Sequence, residues 1–158
     1  MQTKVYEIQT VENGYVYTFI SRGKRDVVKV VRYNKLLNIY HSESGKMITA
    51  YNLGFGNSKN DRFEIDDQVR SNNGDMYVVF NTVLHTIPLF LSKVGFAAIC
   101  VRGSDEIRHL AYHRFVERNI SRLKLEYELY GLLNDFIEPY INGQRYTYIA
   151  ILPKKIYI

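Results

Sequence analysis

A chain of 158 residues, 46% of them hydrophobic, is of single-domain size and carries enough apolar side chains for a core. No apolar run approaches the roughly 20 residues that span a bilayer, and the opening MQTKVYEIQTVENGY alternates polar with apolar residues, so a soluble, cytoplasmic protein with no membrane partner is expected. The single cysteine, Cys100, excludes an internal disulfide, and the formal charge of +5 suits an anionic partner such as RNA without requiring one.

In chain order, VYEIQ and GYVYTFIS read as strands around a hairpin signal at Asn13-Gly14. DVVKVVRY follows a turn at Arg22-Gly23-Lys24. HSESGK is a turn cluster, and MITAYNLGFG is a fourth strand ending in Gly54 and Gly56. From Asn57 to Gly74 the chain becomes a long polar loop, a feature that in small domains is usually functional or mobile. MYVVFNTVLHTIPLFLSKV then repeats Val79, Val83, Ile87, Leu91 and Val94 at helical spacing. Pro88 removes the bond to the Leu84 carbonyl and predicts a kink, and Gly95 predicts the end.

FAAICV is a short continuous apolar run, as expected of a central strand, with Cys100 a buried structural thiol. Ser104 is positioned to cap a second helix, EIRHLAYHRFVERN, with Asp105 and Glu106 in its first turn. LKLEYELYGLL and RYTYIAILPK read as two closing strands flanking a turn at Asn142-Gly143. The expected fold class is α/β (α+β): one domain over residues 1–158, with a mixed, mostly antiparallel sheet of about six or seven strands and two main helices. The helix between the fourth and fifth strands implies that those two lie side by side and parallel.

The chemical candidates centre on SNNGD, residues Ser71 to Asp75. Asn72, Asn73 and Gly74 can present backbone N–H groups to an anion at the helix start. Equally, Asn73 can cap the helix while Asp75 complements its dipole. Asp66 and Asp67 with Asp75 have the oxygens to bind a divalent ion or to supply a general base, but such a pair in a polar loop is more often a solvated turn, and no metal is assigned. His85 reads as a boundary residue of the first helix. His109 and His113 share a helix face at i and i+4, but neither HExxH nor a third ligand accompanies them, so no metal is assigned. Arg102, Arg108, Arg114, Arg118 and Arg122 form a basic ridge, either solvated or a phosphate contact.

The succession of meander, helix, strand, helix and closing strand pair resembles the GNAT acyltransferases. SDEIRHLAYHRF, with Ala111, Tyr112 and Phe115, looks like their second conserved helix, and VGFAAICV like their fifth strand. That resemblance implies acetyl-CoA as cofactor, Tyr112 as the acid that protonates the leaving thiolate, and the loop before the first helix as the pyrophosphate site. The loop departs from the family pattern, having one glycine and the carboxylate of Asp75.

A second resemblance, over almost the whole chain, is to small uncharacterised bacterial proteins frequent in Bacteroidetes. Tyr51-Asn-Leu-Gly-Phe-Gly56, Asp66-Asp67, Ser71-Asn-Asn-Gly-Asp75, Thr82-Val83, Gly103-Ser104, Arg108 and Tyr112 carry it. Taken together, the site is expected to comprise Tyr112 and Asp75 as catalytic residues, with Asn52, Gly54, Asn72, Asn73, Gly74 and Arg108 binding substrate or cofactor. The leading expectation is an acyltransferase acting as a toxin or defence effector on an anionic substrate such as tRNA, restrained by a small antitoxin-like protein. The alternative is a non-catalytic module that binds protein or RNA.

Overall fold

A computed structural model describes residues 4–41, 45–66, 73–103, 105–133 and 136–154. The strands are β1 (Gln9–Val11), β2 (Val16–Arg22), β3 (Asp26–His41), β4 (Lys46–Ser58), β5 (Ile65–Asp66), β6 (Ala98–Val101), β7 (Tyr127–Leu133), β8 (Phe136–Pro139) and β9 (Tyr148–Pro153). The helices are α1 (Met76–Val94), α2 (Glu106–Arg118) and α3 (Ile120–Glu126). The fold is mixed α+β, with a mostly antiparallel open sheet in the order β1-β2-β3-β4-β6-β9-β7-β8 and β5 paired to β4. As the helical connection implies, β4 and β6 are parallel neighbours, in register from Ala50↔Ala98 to Leu53↔Val101.

Several elements differ from the sequence reading. LKLE belongs to α3, so the first closing strand starts only at Tyr127. The polar loop is partly a hairpin: β4 runs on to Ser58, Lys59 N–H donates to the Glu64 carbonyl at 2.7 Å, and Asn57 pairs with Asp66 in β5. The Arg32 guanidinium pins this turn by donating to the carbonyls of Phe63 (2.7 Å) and Arg62 (2.8 Å). Asp67, Ser71, Asn72, Ser104 and the centre of the HSESGK turn lie outside the described residues. Asp105 caps α2, its carboxylate accepting from Arg108 N–H at 2.8 Å.

The 19-residue α1 continues through Pro88 and ends at Gly95, whose φ of 84° suits glycine and whose N–H donates to the Leu91 carbonyl. By length and composition alone α1 is apolar enough to cross a membrane, which corrects the expectation that no such run exists. Its Val79, Val83, Ile87 and Phe90 are buried side chains of the protein core.

By compactness the chain falls into two units: the first holds the chain up to Tyr33 with Gly54–Gly95, the second Asn34–Leu53 and the chain from Phe96 onward. In the first, α1 packs on β3. Tyr33 stacks on Phe90 at 4.0 Å between ring centres, and its hydroxyl bonds to Thr86 Oγ1 at 2.6 Å. In the second, a Cβ on Gly131 would stand 2.2 Å from the Tyr146 ring, so only glycine lets that ring lie on β7. His109 and His113 of α2 bond to the Tyr146 backbone, which places α2 over the Gly131 face. The opposite face, bearing Ile48, Ala50, Ala98, Cys100, Ala150 and Leu152, forms a separate apolar cluster.

Candidate functional site

In the first unit, the described part of SNNGD is tied down by its own side chains. Asn73, 4% exposed, donates through Nδ2 to Ser21 Oγ (2.9 Å), Arg25 O (2.7 Å) and Ser21 O (3.3 Å). Its Oδ1 accepts from Arg25 N–H and its carbonyl from Lys24 N–H, both at 2.9 Å. A Cβ on Gly23 would lie 1.8 Å from that carbonyl oxygen, so the β2–β3 turn needs glycine to come this close. Asn73 therefore fastens the β2–β3 turn. It does not cap α1, whose N-cap position is held by Asp75 without a side-chain cap bond.

Asp75 turns inward. Its Oδ2 accepts hydrogen bonds from Ser21 Oγ and from the Tyr6 hydroxyl, the latter at 2.7 Å. Tyr6 N–H donates to Thr82 Oγ1 at 2.9 Å, and its ring stacks on Phe19. Burial, and then the bond to the Asp75 carboxylate, raise the Tyr6 hydroxyl above its ordinary pKa of 10.0. A fixed carboxylate at the start of α1 opposes a pyrophosphate there by like-charge repulsion. Gly74, beside it, is exposed with φ 77°. Gly54 lies half-buried in β4 of this unit.

Asn52, Arg108 and Tyr112 belong to the second unit. Asn52 is half-buried in β4 opposite Cys100 of β6. The Arg108 guanidinium stands 3.8 Å from the Asp105 carboxylate, and Tyr112 is half-buried on α2. The two histidines of α2 are committed to backbone. His109 Nδ1 accepts from Gly103 N–H (3.1 Å), which leaves Nε2 to donate to the Tyr146 carbonyl (2.5 Å). His113 Nδ1 donates to the His109 carbonyl (3.0 Å), and its Nε2 accepts from Tyr146 N–H (3.2 Å). Burial lowers the His113 pKa and keeps the ring neutral for this pairing. Both rings thus hold architecture together.

What the sequence reading missed lies on the other face of the same unit. A groove of about 260 Å³ is lined by Leu36, Leu37, Ile39, Tyr40, Ala50, Cys100, Leu132, Ile137, Tyr148 and Ala150. Small side chains form its floor: Ala50, Cys100 and Ala150 come from adjacent strands β4, β6 and β9 and alternate with the residues facing α2. Its wall is exposed, with Leu37 53% and Tyr40 65% accessible. Burial pushes the Cys100 thiol up to about 11, which removes it as a nucleophile at neutral pH. Arg102 stands over the Tyr148 ring at 5.7 Å. Because α2 covers the Gly131 face, Tyr112 and Arg108 do not share a site with this groove. The only sequence signal for it was the pairing of small residues in TAYN, FAAIC and YIAI with exposed leucines in NKLLNIY.

No curated protein and no solved structure matches the chain, acyltransferases of the GNAT type included. Residues 2–154 match the model of a family of unknown function, DUF6934, and the chain belongs to that family.

Proposed function

We propose that this protein is a non-catalytic binding module that recognises a partner protein through the apolar groove of its second unit. The observation that carries this reading is the groove itself: none of its ten lining residues is charged, while its wall of Leu36, Leu37, Tyr40 and Ile137 stands exposed. Large accessible apolar side chains around a pocket suit an anchor residue of another protein. RNA would need cations set against phosphates, which the lining does not offer. Of the residues expected to form a site, Asn73 and Asp75 fasten a turn through their own side chains. A photocrosslinking residue in place of Leu37 tests the reading in cells. A discrete protein adduct that Ala150→Phe diminishes is expected, whereas adducts only to RNA, or adducts indifferent to position 150, contradict it.

A second reading, an acetyl-CoA-dependent acyltransferase of toxin type with a small antitoxin-like partner, is favoured by one observation. The parallel pair β4 and β6 is joined through α1 and followed by α2 with Tyr112, the succession on which the GNAT resemblance rests. Acetyl-CoA would then raise the melting temperature by mass action, and no shift at concentrations far above a typical Kd removes this reading.

A further inference from the structure

We infer that the partner segment placed in the groove carries a carboxylate next to its apolar anchor, and that Arg102 reads it. This rests on the groove being the recognition surface. Tyr148 belongs both to the groove lining and to the contact with Arg102, so the guanidinium sits at the groove's border. Arg102 is exposed and makes no ion pair among the described residues, leaving its donors open to a ligand. Lys35, next to Leu36 in β3, and Lys46 at the start of β4 add exposed positive charge to the same unit. On the groove face of β7 the carboxylate of Glu128 is engaged by the Tyr130 hydroxyl at 2.8 Å, four residues along the strand from Leu132. Glu138 accepts from Tyr146 on the α2 side. An uncharged floor with a guanidinium at its border that has no ion pair among the described residues selects an apolar side chain flanked by negative charge, and rejects one flanked by a cation.

Three blocked dipeptides test this on the full chain by NMR titration: N-acetyl-phenylalanyl-aspartyl amide and its asparaginyl and lysyl counterparts. The expected order of affinity is aspartyl, asparaginyl, lysyl, with the amides of Ala50, Cys100 and Ala150 shifting. Arg102→Gln should weaken the aspartyl peptide about threefold to fivefold and leave the asparaginyl one unchanged, as for an exposed charge pair. Arg102→Lys should restore part of the difference. Equal affinity for the three peptides, with the groove amides shifting, overturns this inference while leaving the groove as the recognition surface. Failure of all three to shift the groove amides overturns both.

Discussion

The buried polar cluster of the first unit and the apolar groove of the second are opposite solutions to the same problem of satisfying surface. Around Asn73 and Asp75 the side chains bond within the chain: Ser21, Tyr6, Arg25 and Lys24 supply or accept the bonds. Around Ala150 and Cys100 the side chains are too small to fill the space between Leu36 and Ile137, and a cavity stays open. A cluster whose side chains are spent on internal bonds has less to offer a ligand, whereas an unfilled apolar groove gains free energy only when something enters it. The difference teaches that the most conspicuous motif of this chain is architecture, and that its capacity for recognition lies in inconspicuous small residues.

This contrast can be broken from either side. Asn73→Ala should have the largest effect, a loss of about 3 kcal/mol, because it strands the Arg25 backbone groups and the buried Ser21. Chemical denaturation would measure it, and binding at the groove should survive in the folded fraction. Asp75→Ala, which frees the hydroxyls of Ser21 and Tyr6, should cost about 2 kcal/mol by the same measurement. Tyr6→Phe keeps the stack on Phe19 and loses one hydrogen bond, so about 1 kcal/mol is expected.

In the second unit His113 gives a pH signature. Its folded pKa lies below the ordinary 6.5, so the unfolded chain binds the proton more readily. Stability from this group is complete above about 6.5 and declines as pH falls toward the lowered value; thermal melts should show this slope, and His113→Gln should flatten it. The smallest change in stability is expected from Leu37→Ser at the exposed wall, within about 0.5 kcal/mol, yet binding of N-acetyl-phenylalanyl-aspartyl amide at the groove should weaken. A reversal, with Leu37→Ser harmless to binding and Asp75→Ala abolishing it in a still folded protein, would exchange the roles of the two regions.

Much of the fold was legible because periodicity reports burial. The spacing of Val79, Val83 and Ile87 located α1, and the unbroken FAAICV located a strand flanked on both sides. Leu123 to Glu126 were misread because LKLEYELYGLL alternates like a strand throughout, while tertiary packing of Leu123 keeps its first turn helical. The polar loop concealed β5 because a two-residue strand has no periodicity of its own. Asn73 and Asp75 were legible as special but not as partners of Ser21 and Tyr6, since those contacts join residues 52 and 69 positions apart. The groove was least legible of all. Its floor requires three strands to be brought together, and no local pattern records which alanines and cysteine become neighbours.

The most direct test of the central claim is a chemical-shift map of the labelled protein titrated in parallel with N-acetyl-phenylalanyl-aspartyl amide and with acetyl-CoA. The dipeptide should move the amides of Ala50, Cys100 and Ala150 and leave Asn73, Gly74 and Asp75 in place, and acetyl-CoA should move neither set. Movement of the Asn73–Asp75 amides by acetyl-CoA, with the groove silent to the dipeptide, would contradict the account.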